Sequence, residues 1–357
     1  MKIRELRVRA VLAPMSCPHK TASGTITESP IVLTDLLTEE GVIGHSYVFT
    51  YGAMALRSTA LLVKAMEPLI TGREVEPLEI DRLLSARFRL LGLQGLAGMA
   101  TAAIDMALWD ALARAQQLPL VRLLGAAPRP IQAYGSVGYE GPAGCVRTAS
   151  EWVARGFKAV KLKIGYPDVR EDVEVIRAVR GEVGDDVAIM IDYNQSLTPA
   201  EAIARGRRLD DEGLTWIEEP TLADDFAGHA AVAKELRTPV QAGENWWGPH
   251  DVRKAIAAGA TDYIMADVMK IGGVTGWLRT AALAEAHSIP LSSHLFGEID
   301  CHLLSAAPTA HWLEYVDWFR PILAQPLEVV KGFATPDDCP GSGIEWDERA
   351  VARYLVE

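Results

Sequence analysis

Cysteine is scarce: four residues, Cys17, Cys145, Cys301 and Cys339, lie far apart with no CxxC pair. That spacing excludes a disulfide framework and a cysteine zinc site, and it fits a reducing cytoplasm. Positive charge is short as well. The 35 Lys and Arg stand against 47 Asp and Glu, a net charge of −12, which argues against nucleic acid and anionic membrane surfaces as partners. Long apolar runs are missing, since the longest, near 96–109, is interrupted by Asp105, whereas a membrane span needs about 18 or more apolar residues. The opening MKIRELRVRAVLAP sets arginines where a signal peptide requires an apolar stretch. These absences predict a soluble, cytoplasmic protein. What remains is ordinary globular material, 49% apolar and 23% charged over 357 residues, enough for one large domain and a smaller one.

The first fifty residues read as β structure, around 3–12, 30–37 and 42–50, with TEEG at 38–41 as a hairpin turn. Residues 53–117 turn helical, most clearly in LAGMATAAIDMALWDALARAQQ at 96–117. Strands followed by helices without alternation predict an α+β domain over 1–125. After Pro128-Arg129-Pro130 eight short β-rich runs recur at 131–136, 159–164, 187–192, 214–219, 239–244, 262–267, 289–294 and 312–316, most followed by an amphipathic stretch. Eight βα units predict a closed parallel (β/α) barrel over 126–325. A doubly wound open sheet is the alternative, but no GxGxxG follows a first strand. The tail 326–357 is expected to pack back on the first domain.

Polar residues end these barrel runs: Lys161 and Lys163, Asp192, Glu218, Glu244, Asp267, His294 and Glu314. Asp192, Glu218 and Glu244 are separated by 26 residues and again by 26. Equal spacing at the βα period predicts three carboxylates at one height on neighbouring strands, at the C-terminal mouth where barrel enzymes place their sites. Bare, they would repel one another; hard oxygen ligands of charge −3 suit a divalent cation, Mg²⁺ best. Lys161 and Lys163, two apart in a strand, share a face, and like charge with burial predicts a lysine pKa lowered toward that of a general base. Asp267, level with His294, would accept its imidazole N–H and fix the tautomer. A cation between a lysine and a His–Asp pair predicts proton abstraction beside a carboxylate, with metal and hydrogen-bond donors stabilising an enediolate.

The motifs KLKIGYP (161–167), DYNQS (192–196), WIEEPT (216–221), GENWWGP (243–249), DVMKIGG (267–273) and SSHLFGEI (292–299) together resemble the enolase superfamily, and within it the mandelate racemase subgroup. AAIDMALWDAL (102–112) and HWLEYV (311–316) extend the resemblance over nearly the whole chain. It implies a modified TIM-type barrel capped by an N-terminal α+β domain, and a homo-oligomer, often an octamer. It implies that Asp192, Glu218 and Glu244 hold Mg²⁺, that Lys163 serves one enantiomer of a small carboxylate substrate, and that His294 with Asp267 serves the other. Lys161 would neutralise a substrate carboxylate oxygen, a protonated Glu314 would donate to the enediolate, and Asn194 would touch the substrate. No position in this set departs from the pattern. The departures lie in the capping loop, SCPHKTASGTIT, where His19 and Ser23 replace expected valines while Ile26 stays apolar. Phe49, Tyr51, Leu90, Leu295 and Val316 would complete a largely apolar pocket.

Racemisation of a 2-hydroxy acid, mandelate or similar, is thus the expected activity. Acid-sugar dehydration with the same Lys and His–Asp pair is the alternative, favoured by His19, Lys20 and Ser23 and opposed by the apolar residues. Lys270 could act as a second base, as in cycloisomerase and epimerase relatives, but with Asp267 and His294 present a structural role is expected. A non-catalytic relative would have lost a ligand or a base, and none is lost.

Overall fold

A computed structural model describes residues 1–21 and 24–356 of the chain. Alternating apolar residues build an antiparallel sheet of β1 (Ile3–Thr21), β2 (Gly24–Thr38) and β3 (Ile43–Phe49). The first two strands run on past the predicted 3–12 and 30–37 into a long hairpin, with His19 opposite Ile26. TEEG forms the expected turn, where Thr38 N–H donates to Val42 O. Helices α1 (Ala53–Ala65), α2 (Glu67–Ile70), α3 (Pro77–Arg87) and α4 (Leu96–Ala115) follow. Alanine-rich α4 lies so close on the sheet that a Cβ on Gly44 would fall 2.1 Å from Ala107 O. By length and composition α4 could span a membrane, yet most of it is buried inside the protein.

Eight parallel strands then close a barrel: β4 (Ile131–Val137), β5 (Ala159–Lys163), β6 (Ala188–Asp192), β7 (Ile217–Glu218), β8 (Val240–Ala242), β9 (Tyr263–Asp267), β10 (Leu291–His294) and β11 (Leu313–Tyr315). Each neighbours the next, and β11 pairs back onto β4. The β10–β11 seam is held by His311 N–H on Leu291 O and Ser293 N–H on Trp312 O. All eight predicted runs are strands. A helix follows each of the first seven, from Gly141–Ala154 to Gly297–Ala306, whereas β11 leads into a 3₁₀ turn at Arg320–Ile322. That is the sense in which the barrel is modified.

The tail touches both regions. Phe333–Ala334 pairs antiparallel with β4, while Val356 N–H donates to Ala10 O and Trp346 Nε1 to the buried Asp35. Asp105 of α4, buried, accepts from the Thr275 backbone at 2.9 Å and thereby caps the barrel helix Gly273–Ala286 from outside. These contacts tie α4 and the strands β1 and β2 to the barrel and the tail.

Candidate active site

Alternation along β5 sends Lys161 and Lys163 into the barrel, and both are buried. Lys163 pairs in register with Asp192, and Asp192 with Glu218. Glu244 breaks the expected equal height: the residue opposite Glu218 is Gln241, and Glu244 lies two positions beyond the end of β8. Equal sequence spacing is not equal height, because strand stagger around a barrel shifts the register. The chain returns Glu244 through Gly243, at φ 135°, where a Cβ would meet Met265 O at 2.5 Å. The three carboxylates nonetheless converge, with ligand oxygens all within 4.8 Å of one another.

Lys161 Nζ lies 2.5 Å from Glu218, 2.9 Å from Glu314 and 3.7 Å from Asp192, and Lys163 is ion-paired with Asp192. Burial pushes both ammonium groups down, but the facing carboxylates outweigh it and raise them. The expected lowering therefore does not hold in this state: the like charge of the neighbouring lysine is the weaker influence. Glu314 departs from expectation too. Burial favours its neutral form, yet Lys161 and His294 hold it as a carboxylate below its ordinary range. Its Oε2 accepts the Leu295 N–H at 3.3 Å.

Asp267 and His294 end β9 and β10 in register, as expected, with Nδ1 2.7 Å from Asp267 Oδ2. Asp267 Oδ1 accepts the Met269 and Lys270 N–H groups, which fixes the carboxylate. Nε2 is left facing the mouth, 3.3 Å from Glu244 and 3.6 Å from Glu314. Burial opposes charge on His294, but Glu244, Glu314 and Asp267 together raise its pKa.

Charge and geometry test the fit of a cation. Five buried acidic groups, Asp192, Glu218, Glu244, Asp267 and Glu314, face three basic ones, Lys161, Lys163 and His294. Burial, then Asp192 and Glu244, push the Glu218 carboxyl well up, the cost of crowding carboxylates away from water. Among the described residues Glu244 Oε2 is buried without a hydrogen bond. Three convergent hard oxygens, crowded among more acidic than basic groups, fit Mg²⁺, which would relieve that crowding.

The other predicted residues divide. Phe49 and Leu295 are buried; Tyr51, Val316 and Ile26 are half-buried. His19 is 8% exposed and points inward: burial, then Lys163, lowers its pKa to about 3. Lys20 faces solvent, and Ser23 lies outside the described residues. Leu90 is a correction. It is fully exposed, because α3 ends at Arg87 and the chain turns outward. Asn194, at φ 45°, spends its backbone N–H and its side-chain amide on Asp192, at 2.7 and 3.1 Å, so it orients that carboxylate.

Two features escape sequence reasoning. Trp318 packs at a tilt on His19 at 4.8 Å and on Phe49 at 5.6 Å, continuing the wall; its signal was the aromatic pair in DWF after the eighth strand. Buried Glu219 accepts from Asn245 Nδ2 at 2.7 Å, and Asn245 Oδ1 accepts from Lys270 at 2.5 Å. Lys270 also lies over the Tyr51 ring, at 4.5 Å, so it braces the flank of the site.

Comparison with known proteins agrees with this geometry. Residues 3–125 match the mandelate racemase/muconate lactonizing enzyme N-terminal domain, and 144–350 the enolase C-terminal domain-like family. The 3,6-anhydro-alpha-L-galactonate cycloisomerase of Streptomyces coelicolor is 30% identical over 98% of this chain and 99% of its own. The L-talarate/galactarate dehydratase of Salmonella typhimurium is 31% identical over 98% and 90%. A crystal structure of an enolase from Bradyrhizobium, complexed with magnesium and mandelic acid, superimposes with a TM-score of 0.95 at 45% identity, over 100% of this chain and 99% of that one. With both of its domains matched and its carboxylate triad, lysines and His–Asp pair assembled at one mouth, the chain belongs to the mandelate racemase/muconate lactonizing enzyme family of the enolase superfamily.

Proposed function

We propose that the protein is a Mg²⁺-dependent racemase of 2-hydroxy acids with an aryl or similar apolar R group. The observation that carries this reading is the placement of two bases on either side of one carboxylate triad. Lys163 stands on β5 and the His294–Asp267 pair on β10 and β9, with β4 and β11 between β5 and β10 around the ring. A substrate carboxylate between them presents one face of its α-carbon to each. Lys163 removes the α-proton from one enantiomer while imidazolium His294 returns a proton to the opposite face, and the roles exchange for the mirror substrate. Asp267 holds the imidazole with Nε2 toward the substrate in both directions. Lys161, fully buried, offers a fixed cation to a carboxylate oxygen, and Glu314 orients it. Asp192, Glu218 and Glu244 would hold Mg²⁺, which would supply positive charge against the negative charge that develops on the substrate carboxylate.

The wall formed by Phe49, Tyr51 and Trp318 supports an aromatic R group, as does the mandelic acid held by the Bradyrhizobium relative. Acid-sugar dehydration is the second reading, favoured by the inward polar His19 and by the dehydratase and cycloisomerase relatives. The reading extends to a homo-oligomer, for which the exposed Met54 and Leu61 of α1 are apolar surface to cover. It extends also to the cytoplasm, which suits the free thiols of Cys145, Cys301 and Cys339.

Proton NMR in D₂O with Mg²⁺ tests the reading, with (R)- and (S)-mandelate in separate tubes. Loss of the α-proton signal from both, with optical rotation falling to zero, is the expected result. No exchange from either, together with 2-keto product from an acid sugar, would replace it with the dehydratase reading.

A further inference from the structure

Above the two lysines the hairpin of β1 and β2 brings a row of rings together. His19 packs on Trp318 at 4.8 Å, Trp318 on Phe49 at 5.6 Å, and Phe49 on Tyr51 at 5.0 Å. Three anchors hold this row in place. Tyr139 N–H donates to Lys20 O, Ser29 Oγ donates to Trp318 O at 3.0 Å, and Lys270 lies against the Tyr51 ring. An apolar R group alone would ask for apolar residues throughout. The row instead carries an imidazole at its hairpin end, 8% exposed and with Lys163 and Glu314 as its strongest charged neighbours. At its other end, among the described residues, the buried Tyr51 hydroxyl has no hydrogen-bond partner.

We propose that the substrate is a 2-hydroxy acid whose aromatic R group bears a hydroxyl, with the ring against Trp318, which Phe49 backs, and the hydroxyl hydrogen-bonded to His19. This rests on the racemase reading and narrows its substrate class. The chemistry of the imidazole selects the substituent. Buried beside Lys163, His19 is uncharged at neutral pH, so it offers one N–H donor and one bare nitrogen acceptor. A phenolic hydroxyl, itself donor and acceptor, satisfies either nitrogen. An unsubstituted ring offers the imidazole no hydrogen bond at the moment water is excluded. A net hydrogen bond of ordinary strength corresponds to about tenfold in affinity or kcat/KM.

The test compares mandelate with its 3- and 4-hydroxy derivatives as substrates for α-proton exchange in D₂O. In parallel it compares benzoylformate with its 3- and 4-hydroxy derivatives as ligands, by calorimetric titration of the Mg²⁺-loaded protein. The keto acids have no α-proton, so their affinities do not depend on the bases. The expected result is about a tenfold preference for one hydroxylated isomer in both kcat/KM and Kd, falling to a ratio near one in His19→Phe. Exchange of all three mandelates at equal kcat/KM with equal keto-acid affinities would overturn the inference and leave the racemase standing. A preference that survives in His19→Phe would assign the hydroxyl to another group and overturn it too. Absence of exchange from every aryl 2-hydroxy acid would overturn both. Should His19→Phe fail to fold, the ratios in the unsubstituted protein decide alone, a value of one refuting the inference.

Discussion

At the floor of the barrel Tyr134, Met190, Trp216, Met265 and Trp312 pack side by side in one largely apolar layer. One layer higher the same ring holds Lys161, Asp192, Glu218, Asp267 and Glu314, all buried and all charged or ionisable. The two layers are two residues apart on each strand: Ala159 lies below Lys161, Met190 below Asp192, Trp216 below Glu218, Met265 below Asp267 and Trp312 below Glu314. A step of two keeps the face and moves about 6.6 Å along the strand. The floor serves packing and the mouth serves chemistry, yet they are joined. Trp216 Nε1 donates to Glu218 Oε2 at 2.9 Å, and Lys161 Nζ lies 5.3 Å from the Tyr134 ring centre. The apolar layer is therefore also the mount that keeps the charged layer in position.

The strongest way to test this contrast is to remove a base at the mouth. Lys163→Ala is expected to cut α-proton exchange from one enantiomer of the substrate about 10³-fold, and His294→Asn to do the same to the other, as read by NMR on each enantiomer separately. Equal loss from both enantiomers in each variant would break the two-base assignment. A cut in the floor acts on stability first. Trp216→Ala removes a fully buried indole and should cost about 3–5 kcal/mol in denaturant unfolding. A smaller cost with intact activity would show that the floor is not the mount.

A third comparison concerns how the mouth is neutralised. Adding Mg²⁺ at about a hundred times its Kd should stabilise the fold by about 2.7 kcal/mol, seen as a rise in Tm without any substrate. Glu244→Gln should abolish that rise, since it removes one of the three converging carboxylates. The smallest effect belongs to a buried carboxylate outside the barrel. Asp35 is paired to His45 at 2.7 Å, Trp346 at 2.6 Å, Arg7 at 2.8 Å and Arg9 at 3.0 Å. Burial opposes its charge, but His45, Trp346 and Arg9 lower its pKa from 3.8 to about 2. A folded-state pKa below the unfolded one stabilises above pH 4 and is lost as pH falls through 2. Asp35→Asn should remove about 2 kcal/mol of pH-dependent stability in that window, measured by unfolding between pH 2 and 5. The contrast with Glu244 is the lesson of these two predictions: a fully partnered buried carboxylate ties the tail to the cap, while one whose Oε2, among the described residues, has only the ion-pair contact with His294 and no hydrogen bond is available to a cation.

Much of this was legible in the residues. The eight β-rich runs are the eight barrel strands, and the Asp267–His294 pair is in register as their positions at strand ends required. Period two along β5 was enough to place both lysines inside. Height was not legible for Glu244, because barrel stagger and the turn at Gly243 lie outside any count of residues. Nor were the protonation states of Lys161, Lys163 and Glu314. Each depends on carboxylates or cations brought from other strands, as Lys161 depends on Glu218 and Glu314. Leu90 was misplaced for a local reason, the exit of the chain after α3.

By itself, then, the sequence determined the kind of protein: strand and helix periods, the order of the βα units, and which ionisable residues stand at strand ends. Those are local properties, written in spacing and side-chain type. Tertiary structure alone decided how the charges share protons, how Glu244 reaches the triad, and that His19 turns inward against Trp318. These depend on distances between segments remote in the chain and on the loss of water between them, where electrostatic interactions are strongest.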